Sequence, residues 1–151
     1  MKRIFLFLII LFPWFLSGLL FPVDTSFYAS LNLPFFAPPS ILFPIVWTIL
    51  YFCIAISIFM IVTNYSKETL KDYYKILLVN YVSNQLFTFF FFVLKSPFLG
   101  FADTVVVLIS SIFLYYETKS IYRKASLFLI PYVFWNLFAM ILSMSIYFLN
   151  L

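Results

Sequence analysis

The chain of 151 residues lacks histidine and contains only one cysteine and two glycines. Without histidine, histidine-based catalytic triads, histidine metal sites and histidine-ligated haem are excluded. A single cysteine, Cys53, excludes an intrachain disulfide, a CxxC zinc site and a cysteine-ligated iron–sulfur cluster. In its apolar surroundings Cys53 is expected to act as a small hydrophobic residue. With only Gly18 and Gly100, neither a P-loop nor a GxGxxG dinucleotide loop can form.

Charged residues are also scarce. They make up 9% of the chain, while 66% of it is hydrophobic; ordinary soluble domains carry about 25% charged residues. A soluble fold of this composition would expose large apolar surfaces to water, so lipid is the solvent that fits. The formal charge of +4 then reflects orientation in a membrane and not nucleic-acid binding, because the basic residues lie in the loops between apolar runs.

Five apolar runs are each long enough, at ~1.5 Å per residue, to cross ~30 Å of hydrocarbon. We therefore predict an all-α integral membrane protein with one domain, residues 1–151, built as a five-transmembrane-helix bundle. The predicted helices are about 4–22, 41–64, 72–95, 99–118 and 124–150. The first run follows two basic residues, as a signal peptide would. It is longer than a usual signal core and no A-x-A-like site follows, so a retained membrane helix is favoured.

The basic residues also predict the orientation. If the N-terminus lies inside, one basic residue, Lys95, is outside and eight are inside. The eight are Lys2, Arg3, Lys67, Lys71, Lys75, Lys119, Arg123 and Lys124. This positive-inside asymmetry places the N-terminus inside and the C-terminus outside, and it requires an odd number of helices.

The loop over residues 23–40 combines prolines with aromatic residues. Pro34, Pro38 and Pro39 each disfavour helical backbone at the residue before them. Phe27 and Phe36 nevertheless make the loop too apolar to extend freely into water. We predict that it folds back as a lid over the mouth of the bundle.

The third helix carries a polar stripe at mid-membrane depth. Asn80, Asn84 and Thr88 recur every four residues, with Gln85 beside them. Because amides facing lipid would cost several kcal/mol, the stripe should face the interior of the bundle. Two interpretations remain open: hydrogen bonds between helices, each worth ~0.6 kcal/mol, or contacts with polar groups of a ligand.

Aromatic residues form comparable faces on the second and fifth helices. Trp47 and Tyr51 share one face of the second helix. Trp135 lies near the small Ala139 on one face of the fifth helix. Aromatic residues at helical spacing are often simple packing. Together with the amide stripe they also suit a flat apolar pocket, in which a large planar ring stacks on aromatic side chains while a few polar groups fix its pose.

Asp103 is the only carboxylate predicted within a helix away from the loops. We expect it near the helix N-terminus, where the macrodipole favours a negative charge, and prefer this to a role in proton relay. No second buried acid is predicted, so carboxylate-pair chemistry is excluded.

Several motifs resemble the TspO/MBR family, known as tryptophan-rich sensory proteins or translocator proteins. The first is the double proline Pro38-Pro39, followed after a short spacer by Val46-Trp47-Thr48-Ile49-Leu50-Tyr51. The others follow in order: Tyr28 to Phe36, Asn80 with Asn84-Gln85, Asp103, and Pro131-Tyr132-Val133-Phe134-Trp135 with Phe138-Ala139. The resemblance covers about residues 20–150. It departs at Phe27 and Phe36, where many members carry tryptophan.

The resemblance implies a membrane receptor or sensor that binds tetrapyrroles of the protoporphyrin type, and related flat apolar ligands, inside the bundle under the first loop. It also implies the cell membrane as location, a homodimer, and no tightly bound cofactor: porphyrin would be a ligand or a substrate. We expect neither a metal site nor a nucleic-acid partner. The expected ligand-binding residues are Phe27, Pro38, Trp47, Tyr51, Asn84, Gln85, Phe87, Trp135 and Ala139.

Other functions stay open. One is light-dependent oxidative degradation of bound protoporphyrin, in which Trp47 and Trp135 would donate an electron or quench reactive intermediates. The two missing family tryptophans weaken this function, and no conventional catalytic constellation is present. Another is transport of porphyrin or lipid-like molecules, although charged midplane pairs and two similar halves are lacking. The last is a purely structural or partner-binding role, in which no tetrapyrrole binds and the tryptophans only pack.

Overall fold

The computed structural model describes residues 2–151, and five of its helices are long and apolar enough to cross a membrane. They are α1 (Lys2–Leu20), α2 (Leu42–Val62), α3 (Lys71–Val93), α4 (Pro97–Ile121) and α5 (Arg123–Leu149). No strand occurs between residues 2 and 151. The predicted all-α membrane bundle of five helices is therefore confirmed.

The helix bounds lie within a few residues of those predicted, and local chemistry explains the shifts. The α4 helix begins at Pro97 and not at 99, because proline is tolerated at a first helical position and the Ser96 hydroxyl accepts a hydrogen bond from the Leu99 amide at 3.3 Å. Only Tyr122, in extended backbone, separates α4 from α5.

The α1 helix is interrupted by a 3₁₀ turn, Phe12–Phe15, that contains Pro13. Proline lacks a backbone N–H, and the turn around it departs from the regular α-helical hydrogen-bond pattern, so carbonyl groups of the turn can take further partners inside the membrane. Side chains of α3 supply these partners. The Tyr81 hydroxyl donates to the Pro13 carbonyl at 3.0 Å, and Gln85 Nε2 donates to the Trp14 carbonyl at 3.3 Å. The break in α1 is thus fastened to α3.

The five helices close into a ring in the order α1, α2, α5, α4, α3. Large apolar side chains cover its outer surface: Phe5, Leu19, Phe113 and Phe134 are all more than half exposed. Monomeric soluble proteins rarely expose apolar patches of this extent. The outer surface is therefore one that lipid solvates.

The interior of the ring differs between its two ends. The end near the α2–α3 and α4–α5 connections, here called the filled half, is packed with buried side chains. These are Ile54, Ala55, Ile58, Ile61, Leu70, Tyr73, Leu114, Ala125 and Leu129. The end below residues 23–40, here called the hollow half, has a smaller core of Tyr28, Phe91, Leu142 and Ile146 and contains a cavity.

Close approach of α3 and α4 in the hollow half depends on a glycine. A Cβ atom at Gly100 would lie 2.5 Å from Cδ2 of Phe91, so only glycine lets α4 pass that ring. Phe91 itself belongs to a π-helical turn, Phe89–Val93, that ends α3.

Residues 23–40, here called the lid, are ordered by a short helix, Thr25–Ser30, which we did not predict. Asp24 caps it by accepting a hydrogen bond from the Phe27 amide at 2.9 Å, and its other oxygen lies 3.1 Å from Lys95 Nζ. Hydrogen bonds from Ser26, Phe27 and Lys95 hold the pKa of the Asp24 carboxyl well below its usual range.

The far end of the lid is attached to the C-terminus of α5. Asn150 Oδ1 accepts from the Asn32 amide at 2.9 Å, and Asn150 Nδ2 donates to the Asn32 carbonyl at 3.0 Å. Asn32 Nδ2 also donates to the Leu149 carbonyl at 3.3 Å. The lid is thus fixed at two points, one at the α3–α4 turn and one at the end of α5.

Candidate ligand-binding cavity

A cavity of about 530 Å³ lies in the hollow half, between the helices and beneath the lid. Its volume falls within the ~300–1,000 Å³ typical of small-molecule sites. Among residues 2–151, no charged side chain lines it. The cavity is therefore suited to a largely apolar molecule.

Aromatic side chains of α2 form one wall. Phe43, Trp47 and Tyr51 follow one another at four-residue spacing, so they lie on the same face of the helix. The ring centroids of Trp47 and Tyr51 are 5.5 Å apart. Trp135 of α5 continues this wall, with its ring 6.3 Å from that of Phe43.

Small and polar side chains of α4 and α5 form another part of the lining. Asn136, Ala139 and Ser143 recur at spacings of three and four residues along α5, which places them on one face. The Ser143 hydroxyl lies 2.6 Å from the hydroxyl of Thr104 on α4. Because Ala139 is small, it leaves space opposite the aromatic wall.

Buried amides separate the cavity from the filled half. The Tyr51 hydroxyl donates to Asn84 Oδ1 at 3.2 Å, and Asn84 Nδ2 donates to the Tyr132 hydroxyl at 3.3 Å. That hydroxyl donates to Asn80 Oδ1 at 3.0 Å, and Asn80 Nδ2 donates to the Ser110 hydroxyl at 2.9 Å. These five residues, here called the amide network, connect α2, α3, α4 and α5. Of them, only Tyr51 and Asn84 line the cavity.

Six of the nine expected ligand-binding residues line this cavity. They are Trp47, Tyr51, Asn84, Phe87, Trp135 and Ala139. They come from α2, α3 and α5, the three helices whose aromatic and amide faces the sequence analysis combined into one possible pocket. Thr88, also part of the predicted stripe, lines the cavity too.

The other three expected residues lie outside the lining. Gln85 is hydrogen-bonded to α1, since its Oε1 accepts from the Ser17 amide at 2.7 Å. Phe27 packs against Phe91 with ring centroids 5.7 Å apart and has the Lys95 ammonium 5.8 Å from its ring. Pro38, which lies between the lid helix and α2 in the chain, is half-buried and does not line the cavity.

Sequence reasoning missed several lining residues. Phe43 was one helical turn before Trp47, and its spacing was a usable signal. Tyr28 reaches the cavity only because the unpredicted lid helix points it inward. Phe91 reaches the cavity from the π-helical turn, whose i→i+5 spacing no hydrophobic pattern reveals.

The structure also locates the two chemically reactive residues outside the cavity. Asp103 lies in the second turn of α4, which begins at Pro97, and its carboxyl is buried. Cys53 is half-buried on α2. Within residues 2–151, no three His, Cys, Asp or Glu side chains come close enough together to hold a metal ion.

Comparisons of the chain with a family model and with individual proteins agree with one another. The model of the TspO/MBR family matches residues 5–149. The chain is 34% identical over 137 residues to "Tryptophan-rich protein TspO" of Bacillus cereus, covering 91% of this chain and 89% of that protein. It is 37% identical over 135 residues to "Uncharacterized membrane protein YtaB" of Bacillus subtilis, covering 89% and 87%. A "Tryptophan-rich protein TspO" of Archaeoglobus fulgidus is 34% identical over 132 residues, covering 83% and 80%.

Proposed function

This chain belongs to the TspO/MBR family, and on that premise we propose that it is a receptor or sensor for tetrapyrroles of the protoporphyrin type. The ligand binds in the cavity of the hollow half, beneath the lid. We further propose that the protein resides in the cell membrane as a homodimer, with its N-terminus inside and the lid outside.

The shape of the cavity carries this proposal. A planar macrocycle needs one broad apolar face to stack on and free space on its other side. The wall of Phe43, Trp47 and Tyr51 offers the apolar face, and the small side chain of Ala139 leaves free space on the other side. Trp135 borders the same space from α5. The volume of about 530 Å³ suits a ligand of tens of atoms.

The distribution of charge supports one orientation of the ligand. The lining carries no charged side chain in the described chain, so ionised carboxylates would be unneutralised deep inside. Lys95 lies at the lid, beside Asp24 and Phe27. We infer that the propionate groups of a porphyrin face the lid, while its hydrocarbon edge enters the bundle first.

A titration in the dark tests the proposal. Purified protein in detergent is titrated with protoporphyrin, and binding is followed by porphyrin absorbance and by quenching of tryptophan emission. We expect saturable binding at micromolar concentration, weakened severalfold by Trp47→Phe or Trp135→Phe. Trp14→Phe is the matched control. Trp14 is buried between Tyr51 and Tyr81 and does not itself line the cavity, so its replacement by another aromatic ring should leave affinity unchanged. Absence of saturable binding at micromolar protein would overturn the proposal.

A second candidate function is light-dependent oxidative degradation of the bound porphyrin. The observation that favours it is that Trp47 and Trp135, two easily oxidised indoles, line the same cavity from different helices. Illumination of the complex with dioxygen as the oxidant tests it. Protein-dependent conversion of the porphyrin spectrum, lost in the Trp47→Phe plus Trp135→Phe double variant, would establish turnover. Unchanged spectra in the light would leave a receptor without enzymatic activity.

A further inference from the structure

The cavity is open on one side, between α1 and α2. Four residues there line the cavity and are also exposed: Gly18 of α1, and Ile41, Pro44 and Thr48 at the start of α2. A Cβ atom at Gly18 would meet nothing within 4 Å outside its own stretch of helix, among residues 2–151. The gap framed by these four residues is here called the side opening.

The side opening exists because the two halves of α1 pack against different helices. Before the 3₁₀ turn, residues 2–11 pack along α2. After the turn, residues 16–20 pack mainly against α3 instead. The Ser17 amide donates to Gln85 Oε1 at 2.7 Å, which fastens this half of α1 to α3. The break in α1 therefore separates it from α2 only at the end that lies beneath the lid.

The depth of the side opening matches the outer part of the hydrocarbon layer. Its deep edge is formed by Phe15 and Tyr51, whose ring centroids are 5.2 Å apart. Thr48 lies six residues after Leu42, the first residue of α2, and thus ~9 Å from that end of the helix. Amphipathic groups at a membrane surface are buried to ~5–10 Å. A flat molecule in the lid-side leaflet would therefore be level with the side opening.

The rim of the side opening is compatible with lipid. No charged side chain lines the cavity in the described part of the chain. Thr48 carries the only side-chain hydroxyl of the four rim residues, and it donates to the Pro44 carbonyl at 2.7 Å. Lipid therefore meets no unpaired hydroxyl hydrogen at the rim, where such a group would be costly. An apolar molecule would pass between the acyl chains and the cavity without displacing a charge.

The lid closes the other sides of the cavity mouth. Its pairing of Asp24 with Lys95 holds it to the α3–α4 turn, and its bonds from Asn32 to Asn150 hold it to α5. The side opening lies on the remaining side, where the lid begins after α1 and ends before α2. Because both ends of the lid border the side opening, loosening the lid also widens it.

We propose that the ligand enters and leaves the cavity sideways, from the lid-side leaflet of the bilayer, through the side opening. The inference rests on the proposed function, which supplies the ligand as a flat tetrapyrrole. It goes further by assigning the path and the solvent from which the ligand is taken. Transfer of the apolar ring from water to lipid is favourable by ~25 cal/mol per Å². The ring therefore dissolves in the bilayer first and slides in by its edge, while its propionates stay level with the lid.

Narrowing the side opening tests this path. Gly18→Phe and Thr48→Phe each place a ring in the gap. Leu19→Phe and Ile49→Phe are the matched controls, because these neighbouring positions are exposed but do not line the cavity. All four variants are reconstituted in lipid nanodiscs. Stopped flow then measures association and displacement of mesoporphyrin, in which ethyl groups replace the vinyl groups of protoporphyrin.

An obstacle on the path raises the barrier equally for entry and for exit. We therefore expect Gly18→Phe and Thr48→Phe to slow both association and dissociation roughly tenfold, with Kd nearly unchanged. The two controls should keep the wild-type rates. Should Gly18→Phe not fold, Thr48→Phe serves alone.

Quenching by lipid supplies a readout that needs no tetrapyrrole. In the Trp14→Phe plus Trp135→Phe background, Trp47 is the only tryptophan left, and it lies in the cavity wall beside the side opening. In bilayers whose acyl chains are brominated, we expect its emission to be quenched, because the chains reach the side opening. Adding Gly18→Phe should reduce that quenching, whereas adding Leu19→Phe should not.

Each other outcome has a distinct meaning. Unchanged rates in Gly18→Phe and Thr48→Phe, or equal slowing in the controls, would overturn the lateral path and leave the receptor function standing. Faster dissociation without slower association would also overturn it, since the new rings would then disturb the bound ligand and not its path. If mesoporphyrin does not bind the wild-type protein, the proposed function fails. Quenching of Trp47 then decides the side opening by itself, and its absence would overturn that as well.

Discussion

The filled and hollow halves of the bundle are built from the same five helices but use their interior side chains differently. In the filled half, aliphatic residues such as Ile54, Ile61 and Leu114 are buried in one packed cluster. In the hollow half, the corresponding faces carry flat rings on α2 and small residues on α5, which cannot fill the space between them. The amide network lies at the boundary between the two halves.

The hydrogen bonding of polar side chains also differs between the two halves. In the amide network, Asn80 and Asn84 are bonded on both their oxygen and nitrogen atoms. Beyond it, polar side chains of the cavity lining bond in pairs, as the Thr104 and Ser143 hydroxyls do at 2.6 Å. The comparison teaches that the buried asparagines of α3 join helices to one another, whereas the polar residues of the hollow half leave the space between the helices open.

The largest expected effect comes from making the same change, alanine to leucine, once in each half. Ala125→Leu inserts atoms where Ala125 is fully buried in the filled half, and overpacking should destabilise the protein by about 1–3 kcal/mol. Ala139→Leu inserts the same atoms into the cavity, where there is space. It should preserve the melting temperature in detergent but weaken mesoporphyrin binding at least tenfold, about 1.4 kcal/mol. Equal loss of stability in both variants would show that the space beside Ala139 is already filled.

The second prediction compares two buried asparagines, Asn80 of α3 and Asn136 of α5. Asn80→Leu removes the bonds to Ser110 and Tyr132 and should cost about 1–2 kcal/mol, at ~0.6 kcal/mol for each bond plus the cost of a poorly paired hydroxyl. Asn136→Leu gives up no comparable bond from Nδ2 and should leave the melting temperature unchanged or slightly higher. Thermal unfolding of both variants in one detergent decides the matter. A larger loss for Asn136→Leu would contradict the comparison.

The smallest expected effect concerns the lid over the hollow half. Asn150→Ala removes both side-chain bonds to Asn32, so the lid should open more often and the dissociation rate of mesoporphyrin should rise about fivefold, equivalent to ~1 kcal/mol. Asn64→Ala is the control, since Asn64 makes a similar bond to the Met60 carbonyl at the end of α2 in the filled half. Stopped-flow displacement measures both rates. An unchanged rate in Asn150→Ala would show that this contact does not hold the lid.

Much of the cavity was predictable because helical periodicity defines faces. The spacing of Trp47 and Tyr51, and of Trp135 and Ala139, put the right side chains on one face each. Periodicity could not show that Gln85 forms hydrogen bonds with α1, because those bonds depend on the break at Pro13 and on the α1–α3 contact. Nor could it reveal the lid helix, whose stability comes from the Asp24 cap and its pairing with Lys95.

By itself, the sequence determined the solvent, the helix count and the faces of each helix. These follow from hydropathy, from the length needed to cross a bilayer and from the 3.6-residue period, and all three are local properties of the chain. Only the tertiary structure decided which faces meet, where the interior stays open and which polar side chains bond to one another. Those outcomes depend on contacts between residues far apart in the chain, such as Tyr51 with Asn84 and Asn32 with Asn150.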